Sequence, residues 1–324
     1  MKTKSQHHNF STSLIFTALF MFTVIACTSQ ETAPQETTPQ EAASQETPLF
    51  SEDALPEVIA DGFRFTEGPF WHPDGYLIFS DIPADIVFRW TEDEGTSVFL
   101  EPSGNSNGIT LDPDGHIVLA QHAGRVSRLD SDLVPVTVVA QYEGMRLNSP
   151  NDLVYHSNGT LFFTDPNFGV SEEDQELDFT GVFRLTTDGE LSVIYTEFAL
   201  PNGITLSPDE TKLYFNDTAT GNIVRMDVDS AGRASEAVLF ASVGERGSTG
   251  AADGMKTDTE GRVYSTGPGG LYVFSAEGEE LQMVSFEQSI TNLAWGGPGR
   301  NELYITSRDR VYRLKTNVLG SGNW

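Results

Sequence analysis

Six short hairpins of one layout punctuate this chain. They read HPDGYLIFSD (72–81), DPDGHIVLAQ (112–121), HSNGTLFFTD (156–165), SPDETKLYFN (207–216), TDTEGRVYST (257–266) and GPGRNELYIT (297–306). Each is a polar turn followed by a short run such as Leu161-Phe162-Phe163 or Leu213-Tyr214-Phe215, which reads as a buried strand. Asp-Gly or Asn-Gly marks the turn in the first three, the strongest short-range hairpin signal. The turn markers are Gly75, Gly115, Gly159, Glu210, Gly261 and Arg300. They recur every ~40 to 50 residues, the period of a four-stranded propeller blade.

More strands follow each hairpin. Ile86–Trp90, Val126–Leu129, Val182–Leu185, Ile223–Met226, Leu271–Phe274 and Val311–Leu314 read as third strands. Ser97–Phe99 and Leu191–Ile194 read as fourth strands, and no long helical period occurs after residue 27. The expectation is an all-β, six-bladed β-propeller over residues 49–324 with a metal site at its centre. Pro56–Ile59 is expected to close the ring beside the last blade. A sandwich or jelly roll gives no reason for six equal spacings.

Eight residues before the markers stand Glu67, Asn107, Asn151, Asn202, Asp253 and Asn292. The first five lie in turn-like or glycine-containing steps. In a propeller the inner strands line the central channel, so these six side chains form a ring on one face of the disc. Second strands return to that face and bring Asp81, His122, Asp165 and Asp217 with them. Asp81 and Asp165 are equally suited to tying blades together through backbone hydrogen bonds. One Glu, one Asp and four Asn make a poor core and a good site for a hard cation. Calcium fits the all-oxygen set best, with magnesium, manganese or zinc as substitutes.

Net charge is −28, from 47 acidic and 19 basic residues. That excludes nucleic acid and anionic membrane surface as partners. It is compatible with a bound cation and a small neutral substrate, and no obligate protein partner is indicated. Gly267-Pro268-Gly269-Gly270 lacks the Lys-Ser/Thr of a phosphate loop. Gly244–Gly250 (GERGSTG) reads as a rim loop or a plain blade connection. The acidic Ser171–Thr180 segment is a candidate shaper of the entrance.

The N-terminus has its own logic. Lys2, Lys4, His7 and His8 precede the apolar run Leu14–Ala26 and then Cys27, the chain's one cysteine. The run is too short to span a bilayer but suits an export signal. Val24-Ile25-Ala26-Cys27 resembles a bacterial lipobox, which implies removal of residues 1–26 and lipidation of Cys27. An ordinary signal peptide cut near Ala26 is the competing reading. Residues 27–48 repeat a Gln-Glu-Thr theme without aromatics and read as a disordered acidic linker. Thr28 after the cysteine resembles the pattern for outer-membrane export. Together these place the chain outside the cytoplasm, with the lipid anchor as its one membrane contact.

Several stretches together resemble the senescence-marker protein (regucalcin)/gluconolactonase/luciferin-regenerating enzyme family. They are Phe65-Thr66-Glu67-Gly68-Pro69, Leu147–Asp152 (LNSPND), Phe163-Thr164-Asp165-Pro166, Gln175–Phe179 (QELDF), Leu200–Ile204 (LPNGI) and Ala252-Asp253-Gly254-Met255. The resemblance covers residues 50–315. It implies one divalent cation held by Glu67, Asn202 and Asp253, with Asn151 a fourth ligand or a substrate contact. It implies that Asn107, His122, Arg146 and Asp152 line the pocket. Asn292 occupies the matching position of the last blade and is expected to face substrate or water. His122-Ala123-Gly124-Arg125 is similar to a His-Gly-Gly-Arg stretch of bacterial gluconolactonase-like members, with Ala in place of a Gly. The implied reaction is hydrolysis of a cyclic ester, with Asp253, Asp152 or His122 as proton acceptor. A sugar- or peptide-binding propeller with a structural calcium, and an organophosphate or aryl-ester hydrolase, are the rival readings.

Overall fold

A computed structural model describes residues 48–51 and 54–322. The lipobox, Cys27 and the linker up to residue 47 lie outside the described residues. Six four-stranded antiparallel sheets carry the fold, each arranged from an inner to an outer strand. The inner strands are Thr66–His72, Ser106–Leu111, Leu153–Tyr155, Pro201–Leu206, Met255–Thr257 and Leu293–Gly296. Each opens one blade, numbered 1 to 6 in that order.

Five blades are built from four consecutive strands. The sixth takes its outer strand, Glu57–Asp61, from the start of the domain. That strand runs antiparallel to Arg310–Lys315, with Val58 opposite Tyr312 and Ala60 opposite Val311. The Arg313 guanidinium reinforces the join through Glu57 at 2.8 Å. Pairing the two ends in one sheet closes the ring and leaves no inner edge open.

All six turn markers take positive φ: 88°, 86°, 90° and 80° at the glycines, 59° at Glu210 and 54° at Arg300. Each donates its N–H to the carbonyl three residues earlier, as Gly75 does to His72 and Arg300 to Gly297. The recurring motif is therefore one turn geometry, tolerated without glycine at two positions.

Burial falls from the axis outward. Ser106–Leu111 and Pro201–Leu206 are buried at every position, while the outer strand Pro135–Val139 is exposed at its three central ones. An inner strand has neighbouring blades on both faces, so it shows no alternation. The described apolar core divides into six clusters, one per blade interface. Leu77, Phe79 and Trp90 of blade 1 pack on Tyr304 and Val311 of blade 6, for example. The propeller is held together by these interfaces, because no single blade can bury its own faces.

One local reading is corrected. The dipeptides Glu67-Gly68, Asn107-Gly108 and Asn202-Gly203 are bulges within inner strands, where the pairing register shifts. A bulge turns the ring side chain out of the sheet without ending the strand. Glycine follows because the next blade sits against it. A Cβ on Gly68, whose φ is +48°, would lie 1.9 Å from the Asn107 carbonyl oxygen, and one on Gly203 would lie 2.1 Å from that of Asp253.

Candidate active site

The ring residues collect where inner strands begin. Glu67, Asn107, Asn151, Asn202 and Asp253 all line one cavity of about 320 Å³, together with His122. Three ring residues have their backbone pinned by a buried polar side chain from a neighbouring blade. Ser80 Oγ donates to the Asn107 carbonyl at 2.9 Å, Thr164 Oγ1 to that of Asn202 at 2.7 Å, and Asn216 Nδ2 to that of Asp253 at 2.6 Å. These stitches set the ring's diameter. They occupy the second strand, five or six residues past the turn marker, one place before the position given weight in the sequence at Asp81 and Asp165.

The second-strand carboxylates do not reach the cavity. Asp81 accepts the N–H groups of Arg64 and Phe65, Asp165 that of Asn148, and Asp217 that of Leu200. Each holds the connection entering its own blade, the structural alternative left open for Asp81 and Asp165. Burial pushes the Asp165 carboxyl up to about 7, against the hydrogen bond from Asn148.

Three expected site residues sit behind the cavity wall. Asp152 accepts from the Leu153 N–H at 2.9 Å and lies 3.8 Å from the Lys256 ammonium, so its charge is spent inside the channel. Arg146 donates to the carbonyls of Leu147, Asn148 and His122, bracing the loop that carries His122. Asn292 accepts from the Leu293 N–H through Oδ1 and hydrogen-bonds the Glu67 carboxylate, supporting that residue from below. Spacing gave Asn292 and the family resemblance gave Asp152 and Arg146, and neither could tell cavity wall from support.

The cavity floor is rich in acceptors. Burial pushes the Glu67 carboxyl up to about 7, offset in part by hydrogen bonds from the Gly68 N–H and the Asn292 side chain. Burial and then the Glu67 charge raise Asp253 well above the usual carboxylate range. The Thr218 hydroxyl donates to the Ala252 carbonyl, so its oxygen accepts from Asn202 Nδ2 at 2.8 Å. That fixes the amide and leaves Asn202 Oδ1 buried without a partner; Asn107 Oδ1 is likewise unpartnered. Two buried carboxylates sit beside an orphaned amide oxygen. Lys256 acts on Glu67 and Arg246 on Asp253 only through their fields, with no ion pair to either carboxylate among the described residues, and a hard divalent cation supplies the close positive partner. Glu67, Asn202, Asp253 and Asn151 therefore fit the metal-ligand set expected for them. Asp112, Asp114 and His116 also approach one another, at the blade 2 turn. There Asp112 Oδ1 accepts the N–H groups of Asp114 and His116 and serves the turn itself.

His122 is half-buried, and its desolvation lowers the imidazole to about 4, so it is neutral at physiological pH. Its Nε2 lies 3.3 Å from Asn107 Nδ2. An amide N–H can only donate, so Nε2 is the acceptor there. The connection after blade 3's second strand packs over the histidine, and a Cβ on Gly169 would lie 2.5 Å from that of His122. Phe168 of the same connection lines the cavity. Further lining residues carried no periodic signal in the sequence. They include Arg246, Ser248, Ser289 and Arg308, from connections and turns on blades 4 to 6.

The family model for the SMP-30/gluconolactonase/LRE-like region matches residues 65–309. A gluconolactonase of Zymomonas mobilis subsp. mobilis is 38% identical over 296 residues, covering 82% of each chain. A pentonolactonase of Haloferax volcanii is 30% identical over 266 residues, covering 78% of this chain and 84% of its own. The solved structure of a gluconolactonase from Xanthomonas campestris superposes with a TM-score of 0.75 at 30% identity, over 82% of this chain and 90% of that one.

Proposed function

The chain belongs to the SMP-30/gluconolactonase/LRE-like family, and from that premise we propose that it is a divalent-cation-dependent hydrolase opening a small sugar lactone. One observation carries the reading: the buried Glu67–Asp253 pair and the unpartnered Asn202 oxygen face a cavity of about 320 Å³. That volume suits a small ligand.

Glu67, Asn202 and Asp253, with Asn151 beside them, would hold the cation, calcium first. Bound there, it supplies Lewis-acid polarisation of the ester carbonyl and stabilises the oxyanion. Water adds to the carbonyl carbon, the ring C–O bond breaks, and the departing alkoxide takes up the proton that the attacking water lost. Asp253 is our choice for the acceptor of the attacking water's proton; its support is that Asp152 lies outside the cavity and is paired with Lys256. His122 stays neutral and, with Asn107, offers hydrogen bonds to lactone hydroxyl groups. Phe168, Ile82 and Pro83 supply apolar wall and exclude water. Arg146 and Asn292 act by bracing His122 and Glu67.

Two carboxylates favour an enzyme over a binding propeller, because a purely structural ion tolerates amides. The test is acid release from gluconolactone, homoserine lactones and aryl esters by calcium-loaded protein. Release from gluconolactone supports the proposal. Release from aryl esters alone favours the ester-hydrolase alternative, and release from none favours the binder. Export and lipidation at Cys27, with anchorage at a bacterial envelope membrane, belong to the same proposal. They rest on the sequence of residues 1–48.

A further inference from the structure

The cavity has a basic wall in a strongly acidic protein. Arg246 and Arg308 line it directly, and Arg64 joins Arg308 in the adjoining groove. The chain has 47 acidic residues against 19 basic, so a stray surface arginine finds a carboxylate easily. Arg89, Arg128, Arg233, Arg262, Arg310 and Arg313 all do so, while Arg125, Arg146 and Arg184 donate to uncharged oxygens instead. Arg246 and Arg308 do not: among the described residues neither guanidinium makes a hydrogen bond or ion pair, and Arg246 acts on the cavity carboxylate Asp253 through its field alone. The Arg64 guanidinium donates only to the Pro83 carbonyl. Asp309, next to Arg308, is occupied by Arg310, and Glu287 is the other carboxylate lining the groove.

Charge balance inside the cavity gives these side chains a meaning. Its lining holds two carboxylates, Glu67 and Asp253, and two guanidiniums, Arg246 and Arg308. A divalent cation on the carboxylates neutralises them and leaves the guanidiniums uncompensated. Arg246 comes from the connection between blades 4 and 5, and Arg308 from the outer turn of blade 6 after Glu302–Ser307. Ser248 and Ser289 add hydroxyls beside them, while Ile82, Pro83 and Phe168, from blades 1 and 3, are apolar. The cavity is therefore polarised around its rim, and a neutral ring leaves the basic side unused. Fork-shaped guanidiniums match the oxygens of carboxylate and phosphate.

From this we infer that the substrate is a sugar lactone bearing a second, anionic group, a carboxylate or phosphate ester remote from the ester carbonyl, which Arg246 and Arg308 hold at the rim. The inference rests on the lactonase reading and replaces the neutral substrate expected from net charge. The overall −28 repels anions at a distance, so two unscreened guanidiniums at the mouth have a local field to overcome and a reason to be there.

Binding of product acids tests this separately from turnover. Calcium-loaded protein is titrated calorimetrically with gluconate, glucarate and 6-phosphogluconate. Glucono-1,5-lactone hydrolysis is measured in parallel. The expected result is that glucarate or 6-phosphogluconate binds at least ~10-fold tighter than gluconate, the scale of one charge-assisted hydrogen bond. Whichever of the two wins identifies carboxylate or phosphate as the group. The preference should collapse in Arg246→Gln/Arg308→Gln and persist in Arg246→Lys/Arg308→Lys, where charge remains. Equal affinities in the wild type, or a preference that survives the glutamine pair, overturns the anion subsite. Turnover of glucono-1,5-lactone without that preference overturns the subsite and leaves the lactonase reading standing. The preference without turnover of any lactone does the reverse.

Discussion

Asp253 is the residue on which chemistry and stability pull in opposite directions. As a metal ligand and proton acceptor it is required, and Asp253→Asn should lower kcat/KM for lactone by a factor of ~10²–10³ or more. As a buried carboxylate beside Glu67 it is a burden whenever no cation is present, since burial disfavours its charged form. Metal-free Asp253→Asn should therefore melt above the metal-free wild type. Calcium should raise the Tm of the wild type well beyond any rise in the variant. Calorimetry with and without calcium reads both, and equal calcium shifts in the two proteins would contradict the ligand role. Asp165 gives a cleaner pH signature. Its carboxyl titrates at about 7 in the fold against 3.8 for an ordinary aspartate, because it is buried. Between those values the folded chain holds a proton that the unfolded chain has lost, so stability falls as pH rises through the window. Asp165→Asn lacks that ionisation, and its Tm relative to the wild type should climb between pH 5 and pH 8. A constant difference would show that Asp165 is ionised at no cost. Spacing from the turn markers located Glu67, Asn107, Asn151, Asn202 and Asp253, because one hairpin geometry repeated six times fixes that distance. It could not separate Asn292 from the other five. Whether a side chain faces the cavity or braces a neighbour depends on bulges and stitches that involve residues far apart in sequence.

At the scale of the strand, the ring depends on hydroxyls that look unremarkable in the sequence. Thr164 donates from the second strand of blade 3 to the Asn202 carbonyl of blade 4 and accepts from the Asp152 N–H at 3.1 Å. Thr164→Val keeps the shape and the β propensity while removing both hydrogen bonds in a fully buried place. The expected cost is about 1–3 kcal/mol of stability, with a lower lactone kcat/KM as Asn202 loses its fixed position. Chemical denaturation measures the first, and a variant as stable as the wild type would show that the stitch is dispensable. The hairpins and third strands were legible because a polar turn, a buried run and a short amphipathic strand recur in order. The small sheet formed by Gln141–Tyr142 and Met145–Arg146 was not, since two residues per strand carry no period. The rim loops carrying Arg246 and Phe168 were also opaque in detail. A connection has no periodicity, and its direction is set by what it packs against.

For the whole molecule, closure and chemistry are one problem, because a ring of ligands from separate blades exists only when the disc is shut. Glu57–Asp61 completes blade 6 with four paired positions on Arg310–Lys315. Deleting that strand exposes the edge of Arg310–Lys315 and removes the Glu57–Arg313 pair. The domain should then lose at least ~10 °C in Tm and bind calcium more weakly, since opening the ring displaces Glu67 relative to Asp253. Unchanged melting would mean that closure rests on the blade interfaces alone. The hairpin recurring six times gave the fold away, since few architectures repeat one unit six times and bring its ends together. The substrate was hidden in the sequence for the same reason that the fold was plain: blades repeat, and rims do not. The proposed role of the ring is that of a cation-dependent lactone-opening site. Its most direct test is the rate of acid release from glucono-1,5-lactone by a single sample, first stripped of divalent ions and then titrated with calcium. The predicted result is a rate near the uncatalysed background when stripped, rising to a plateau at one calcium per chain. A stripped protein that hydrolyses at the full rate, or a calcium-saturated one that does not hydrolyse at all, would contradict it.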